Sequence, residues 1–382
     1  MRGTVDEQPP LFHTFCVEDR IRPDHPLRDI KRRTDRILAG MSDRFAAAYS
    51  ATGRPSIPPE RLLKALLLQC LYSIRSERQL CERIDTDLLF RWFLDLQPSD
   101  DAFDATSFGK NRPRLDEHLL TQSFFDAVVA EAMTAGLCSE HFSVDGTLIE
   151  SLASAKSFRP KNSTDDTSGD VNGFKPRNAA VDFHGQKRSN ETHQSTTDPE
   201  AKLYRKSNGQ EAKLSHMGHV LAENRHGLIV TVQATEASGT AERTAAVNML
   251  LDLHATHGVK PVTLGADKGF DDGEFLRVVE WMGVEPHVPL VKDPVDPRTV
   301  PPGQNKRIPG IRARRRMRRR MRGRAYKLSQ RCRKKLEEGF GWLKSVAKLG
   351  RSRWVGRWKL EQMLQIGAAA YNLVRLRTLK PA

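Results

Sequence analysis

Three acidic residues carry the clearest chemical signal in the sequence. Asp145 ends the apolar run 142–144, Asp267 ends the run 262–266, and Glu337 lies in a basic stretch with helical character. Two carboxylates at strand ends and one from a later helix can hold a pair of magnesium ions, because Mg²⁺ prefers oxygen ligands. Such a pair can activate an attacking oxygen and stabilise the leaving oxygen of a phosphodiester. The pattern therefore predicts an enzyme that acts on DNA.

Each acid also has a structural explanation. Asp145 could end a strand in a turn, Asp267 could cap a turn or helix, and Glu337 could pair with a neighbouring base on a solvated helix. The matching strand-end settings of the two aspartates favour the catalytic interpretation. Arg333 and Lys344 are spaced four and seven residues from Glu337, so all three share one helix face. We expect both bases to contact the phosphates of the scissile strand.

The charge of the chain indicates a polyanionic partner. Lysine and arginine number 62 against 47 aspartates and glutamates, which gives a formal charge of +15. Nine of the thirteen residues in 312–324 are arginines, and this run leads into the Glu337 helix. A free run of this kind is usually solvated or disordered, and we predict that it is a DNA-binding arm with salt-sensitive affinity. The arginines assigned to DNA binding are Arg312, Arg314, Arg315, Arg316, Arg318, Arg319 and Arg320.

Cysteine usage and the first residues predict the cellular setting. The five cysteines are scattered, form no CxxC pair and suggest no disulfide framework. The first residues contain no apolar segment typical of a secretory signal, and no apolar run approaches the length of a membrane span. We expect a cytoplasmic, nucleoid-associated protein with no membrane partner and no small-molecule substrate.

Hydrophobic periodicity divides the chain into three regions. Residues 1–137 are predicted to be helical, either as a helix-turn-helix that reads DNA or as a bundle that packs or dimerises. Residues 138–350 alternate strands and helices, with a polar, flexible insertion at about 156–212 and a basic arm at about 293–325 whose first part, 293–310, is irregular. Residues 351–382 hold a C-terminal helix. The middle region predicts an α/β fold of ribonuclease-H type, a mixed sheet flanked by helices, in which Asp145 and Asp267 leave neighbouring strands.

Several motifs resemble those of the DDE transposases of bacterial insertion sequences, particularly the insertion-sequence-five-like group. They are DGTLIE at 145–150, SFRP at 157–160, RSNETH at 188–193, ADKGFD at 266–271, SQR at 329–331, EEGFGWLK at 337–344 and AYNLVRL at 370–376. The family's late-helix signature is Tyr, two residues, Arg, three residues, Glu, six residues, Lys. Arg333, Glu337 and Lys344 match it in register, whereas Gln330 stands at the tyrosine position and Tyr326 lies one turn earlier.

The resemblance implies that Asp145, Asp267 and Glu337 form a catalytic and metal-binding triad. It implies two Mg²⁺ ions, with Mn²⁺ as a substitute, and cut-and-paste transposition at terminal inverted repeats of double-stranded DNA. It also implies that the N-terminal region helps to bind transposon ends, and we expect a homodimer on DNA. Two alternatives remain at this point, namely a nuclease that cuts without joining and a non-enzymatic DNA-binding regulator derived from an inactive element.

Overall fold

The computed structural model describes residues 16–50, 52, 56–161, 189–205, 210–301 and 303–379. Its first part is helical, as the periodicity predicts. Pro59 opens the apolar helix α4 at a position where a missing N–H costs nothing, and the Ser76 hydroxyl caps α5. The helices are α1 (Val17–Arg20), α2 (Leu27–Ala39), α3 (Ser42–Ala48), α4 (Pro59–Leu71), α5 (Glu77–Thr86), α6 (Leu88–Phe93), α7 (Ala105–Glu117) and α8 (Leu120–Thr134).

The second part alternates strands and helices. The strands are β1 (His141–Glu150), β2 (Phe158–Pro160), β3 (His193–Ser195), β4 (Lys202–Tyr204), β5 (Lys213–Glu223), β6 (Ile229–Glu236), β7 (Thr263–Gly265) and β8 (Glu285–His287). The helices are α9 (Ala241–His257), α10 (Gly273–Trp281), α11 (Ile308–Arg320), α12 (Arg324–Cys332), α13 (Lys334–Ser345) and α14 (Arg357–Leu376). None of the helices in the described ranges combines the length and apolar character needed to cross a bilayer.

The main sheet has the mixed order expected of a ribonuclease-H-like fold. Its path runs β4, β5, β1, β7, β8, and β6 pairs with β5. The β5 strand is antiparallel to both β1 and β6, whereas β7 is parallel to β1 and to β8. The prediction that the strands carrying Asp145 and Asp267 are neighbours is therefore confirmed.

The expectation that Asp145 ends its strand is wrong. Pairing with β5 continues from Phe142 to Glu150, so Asp145 lies within β1, opposite Val220. Pairing with β7 stops at Ser143, because β7 itself ends at Gly265. Asp145 thus lies just past the point where the parallel neighbour ends, so on that side of β1 its backbone has no partner in β7.

The described parts of the predicted flexible insertion contain three short strands. Strands β2 and β3 form a small antiparallel sheet, and β4 joins the edge of the main sheet. The buried Asp198 carboxylate accepts the Ser151 hydroxyl and contacts His216 Nε2 at 2.8 and 2.9 Å, which attaches the insertion to β1 and β5. Residues 162–188 and 206–209 of the predicted insertion lie outside the described residues.

The predicted arm is a packed helix rather than a solvated run. Within 293–310 the chain forms short 3₁₀ turns at Pro297–Thr299 and Asn305–Arg307, and α11 then begins at Ile308. Ala313 and Met317, one turn apart, are fully buried and give α11 an apolar stripe. This stripe packs α11 against α10 and β8.

The C-terminal helix α14 joins the two parts of the molecule. This helix is buried along most of its length, and it packs against α4, α8 and β6. The core of the N-terminal helices is continuous with the core of the sheet through this helix.

Candidate active site

Asp145 is positioned by β1 and is partly buried. Its Oδ1 accepts the Gly146 N–H at 2.8 Å, and its Oδ2 lies 3.1 Å from the Arg333 guanidinium. Burial raises the pKa of this carboxyl above its ordinary value, and the negative charges of Asp267 and Glu337 raise it further, against the opposing effect of Arg333. Asp145 is therefore near enough to Asp267 and to Glu337 for their charges to act on it.

Asp267 follows the end of β7 by two residues and lies near enough to Asp145 for its charge to act there. Its Oδ1 accepts the Gly269 N–H at 2.7 Å and so caps a short 3₁₀ turn, Lys268–Phe270. The structural and catalytic interpretations of this residue are thus compatible, because the cap fixes the carboxylate at the strand end. Asp272 caps α10 through the Glu274 and Phe275 N–H groups.

Gln330, at the signature's tyrosine position, fixes the same strand end. Its amide nitrogen donates to the Ala266 carbonyl at 3.2 Å and to the His287 carbonyl at 2.6 Å. These bonds tie α12 to β7 and β8 directly beside Asp267. The Tyr326 ring lies edge-on against His287 instead of entering the cleft.

Glu337 is exposed in the first turn of α13, a helix that packs against β1. The Lys335 ammonium donates to the Asn224 and Arg225 carbonyls, so the start of α13 is tied to the β5–β6 turn. Glu338 points elsewhere and lies 3.5 Å from Arg375. The choice of Glu337 over Glu338 for the cleft agrees with this geometry.

The two signature bases occupy different parts of the site. Arg333 joins α12 to α13, and its guanidinium reaches Asp145. Lys344 lies further along α13 and lines a groove of about 530 Å³. That groove is strongly basic, because its other charged lining residues are Arg75, Lys348, Arg351 and Arg353.

A fourth acid, Glu242, lies in the same cleft and was missed by the sequence analysis. It stands in the first turn of α9, which follows β6. Burial raises the pKa of its carboxyl to about 7, with further contributions from the charges of Asp145 and Asp267. An acid at that position, beside the sheet, was the available signal.

The donor set suits a hard divalent cation. Within the described residues, no three acidic, imidazole or thiolate groups are arranged closely enough to enclose a metal ion. The acids are instead neighbours whose charges act on one another, and their donors are all carboxylate oxygens, the ligands that Mg²⁺ and Mn²⁺ prefer. A bound cation would offset this concentration of negative charge.

The arginines of α11 fall into two groups. Five are held by acids: Arg314 by Asp271 at 2.7 and 2.8 Å, Arg315 by Asp296 at 3.3 Å, Arg318 by Asp293 at 2.8 Å, and Arg316 and Arg320 by Glu280. Arg312 and Arg319 are exposed, and no ion pair to either is found within the described ranges. These two are spaced by seven and share one helix face.

The fold and this acidic cleft define an enzyme of phosphodiester chemistry. A model of the family "Transposase DDE domain" matches residues 138–373, and a model named "Transposase domain (DUF772)" matches residues 15–114. The chain therefore belongs to the DDE transposases, and it is a DNA transposase of the insertion-sequence type. Enzymes of this family use divalent metal ions.

Comparisons with individual proteins add little. No curated protein matches the chain. A pre-cleavage Mos1 transpososome is 11% identical with a TM-score of 0.21, and the match covers 80% of this chain and 83% of that one. A Mos1 transposase paired-end complex with the left transposon end is 12% identical with a TM-score of 0.21, covering 82% and 86%. A Mos1 strand transfer complex is 11% identical with a TM-score of 0.20, covering 79% and 82%.

Proposed function

We propose that Asp145, Asp267 and Glu337 are the catalytic and metal-binding residues of this transposase. The observation that carries the proposal is that Asp145 lies in β1 and Asp267 just past the end of the adjacent parallel strand β7, while the Glu337 helix packs against β1. The charges of Asp267 and Glu337 both act on Asp145, although the three residues are remote in sequence, and this supports the proposal. The reaction is cleavage at insertion-sequence ends followed by joining to target DNA. We assign the chain to the insertion-sequence-five-like group.

The cations for this site are two Mg²⁺ ions, for which Mn²⁺ can substitute. When bound, they would activate the attacking oxygen and stabilise the leaving oxygen of the phosphodiester. The three carboxylates would hold them, and water or a DNA 3′-hydroxyl would be the nucleophile for cleavage or joining. The capped turn at Asp267 and the Gln330 bonds keep one ligand fixed during both steps.

The partner is double-stranded DNA, both the terminal inverted repeats and the target. Arg333 and Lys344 contact the scissile strand, and the groove beside Lys344 continues the phosphate path toward Arg75 in the α4–α5 loop. Arg312 and Arg319 are the α11 arginines best placed to add phosphate contacts, because the others are held by acids. The N-terminal helices, within residues 1–137, form the end-binding unit and residues 138–350 the catalytic unit. We propose that the protein acts as a homodimer on DNA, in the nucleoid.

Isosteric amides test the three acids. Asp145→Asn, Asp267→Asn and Glu337→Gln should each abolish strand cleavage in Mg²⁺ or Mn²⁺ and also strand transfer from a pre-cut end bearing a free 3′-hydroxyl. Binding to end DNA should persist in a mobility-shift assay. Glu338→Gln is the matched control, since Glu338 shares the helix and is equally exposed but points to Arg375.

Full activity of the Asp267→Asn protein would falsify the assignment. If the wild type cleaves DNA but never transfers the pre-cut end, the protein is a nuclease and not a transposase. If the wild type binds end DNA but does not nick it in any divalent ion, the protein is a DNA-binding regulator.

A further inference from the structure

We propose that Glu242 is an additional carboxylate ligand of the divalent cations, acting beside Asp145 and Asp267. The inference rests on the active site proposed above and adds a residue that lies outside the three-acid signature. Glu242 comes from α9, an element that supplies none of those three acids. The site would then draw its ligands from β1, the end of β7, α9 and α13.

The position of the Glu242 carboxylate relative to two glycines carries the argument. Its Oε1 lies 2.8 Å from the point that a Cβ on Gly146 would occupy, beside Asp145. Its Oε2 lies 3.6 Å from the corresponding point on Gly269, and Asp267 Oδ1 lies 3.0 Å from that same point. One carboxylate therefore lies between Gly146 of β1 and Gly269 of the turn that Asp267 caps, with one oxygen toward each.

A buried histidine that faces the same spot supports this placement. His219 is 1% exposed, and its Nδ1 lies 3.0 Å from the Gly146 Cβ point that Glu242 Oε1 also approaches. Its Nε2 is 2.7 Å from the Thr235 hydroxyl, whereas no hydrogen-bond partner to Nδ1 is found in the described part of the chain. If Thr235 donates to Nε2, Nδ1 carries the proton and can orient the Glu242 carboxylate, as hydrogen-bond donors commonly do for metal ligands.

A purely structural role does not account for Glu242. Within the described residues, no hydrogen bond or ion pair holds its carboxylate, and the adjacent Arg243 lies 4.0 Å from Asp272 instead. An acid in a first helical turn is favoured by the helix dipole, but that effect needs no burial against a second acid. Glu274 shows the ordinary case, since it holds the same position in α10 and pairs with Arg277 in the open.

The test measures metal binding by the DNA-free, full-length protein. Mn²⁺ affinity is determined by electron paramagnetic resonance for the wild type, Glu242→Gln, Glu242→Asp and the matched control Glu274→Gln. We expect Glu242→Gln to weaken Mn²⁺ binding by about tenfold or more. Glu242→Asp should lose less, because it keeps a carboxylate, and Glu274→Gln should bind as the wild type does.

Thermal unfolding without metal ions shows whether a variant has merely lost its fold. Glu242→Gln should melt at or above the wild-type temperature, because the amide removes a like charge from the cleft. Adding Mn²⁺ should then raise its melting temperature less than that of the wild type.

Parallel measurements on Asp145→Asn and Asp267→Asn separate the two proposals. Weak binding in both aspartate variants with wild-type affinity in Glu242→Gln would overturn the role of Glu242 and leave the proposed active site standing. Wild-type Mn²⁺ affinity in Asp145→Asn, Asp267→Asn and Glu242→Gln would contradict the proposed active site itself. Equal losses in Glu242→Gln and Glu274→Gln would show a general charge effect and would also overturn the inference.

Discussion

At the scale of single residues, glycines allow the acidic side chains to approach one another. Gly146 adopts ordinary extended backbone in β1, so its type is not required by its conformation. Glycine is required by space, because both Glu242 and His219 approach the point that a Cβ at this position would occupy. The arrangement of these groups therefore depends on the absence of a side chain at Gly146, next to Asp145.

Replacement of Gly146 by alanine tests this crowding. The new Cβ would lie 2.8 Å from Glu242 Cγ and Oε1, so the carboxylate must move. We expect an overpacking cost of about 1–3 kcal/mol in urea unfolding, together with slower cleavage of end DNA. Gly341→Ala in α13 is the control, because no atom lies within 4 Å of its Cβ point, and it should raise stability by roughly 0.5–1 kcal/mol. Unchanged stability and cleavage in Gly146→Ala would contradict the geometry.

Gln330 shows how far a residue-level signature can be predicted. The spacing of Arg333, Glu337 and Lys344 predicts which acid of α13 belongs to the site, and the sequence alone shows that Gln330 departs from tyrosine. It does not show that the amide bridges the Ala266 and His287 carbonyls. Such bonds depend on the distance between α12 and two strands, which no local pattern encodes.

At the scale of elements, α11 illustrates how charge can mislead. Nine arginines in thirteen residues suggest a solvated arm, yet Ala313 and Met317 give the helix a buried stripe and acids from α10 and nearby loops offset the charge. The close crossing of α10 and α11 is made at Gly273 and Gly310, where a Cβ on Gly273 would lie 2.8 Å from the Gly310 Cα. These partners are remote in sequence, so the composition of the run could not reveal them.

The two groups of α11 arginines should respond differently to alanine substitution. Arg319→Ala should leave stability unchanged and reduce the slope of log binding affinity against log salt concentration by about 0.9, the value for one phosphate contact. Arg316→Ala should instead lower stability by about 1 kcal/mol, because Glu280 loses one of its two partners at a partly exposed site, and should leave the salt slope intact. Fluorescence anisotropy across a salt series and urea unfolding give both quantities. Identical behaviour of the two variants would refute the division.

At the scale of the whole molecule, the order of elements was predictable and some positions were not. Alternating periods of helix and strand predict the sheet and the neighbouring strands of Asp145 and Asp267, and the structure confirms both. The length of β1 escaped prediction, because Gly146 and Thr147 look like a turn until β5 pairs with them. Glu242 escaped because its role depends on packing across the sheet. The domain boundaries and the DNA-reading element remain predictions.

The stability of the molecule depends on α14, and Asn372 links this helix to the sheet through two hydrogen bonds. This fully buried amide accepts the Ile229 N–H at 2.9 Å and donates to the Ile229 carbonyl at 2.7 Å. Asn372→Ala would leave both backbone groups buried without partners, at a cost of about 1–3 kcal/mol for each group left unsatisfied. Urea unfolding should show this loss, whereas Arg377→Ala at the exposed end of α14 should change stability by less than about 0.5 kcal/mol.

Because the core is continuous through α14, we expect fluorescence and circular dichroism to report a single, earlier transition in Asn372→Ala. Two separate transitions would show that the N-terminal helices and the sheet unfold independently.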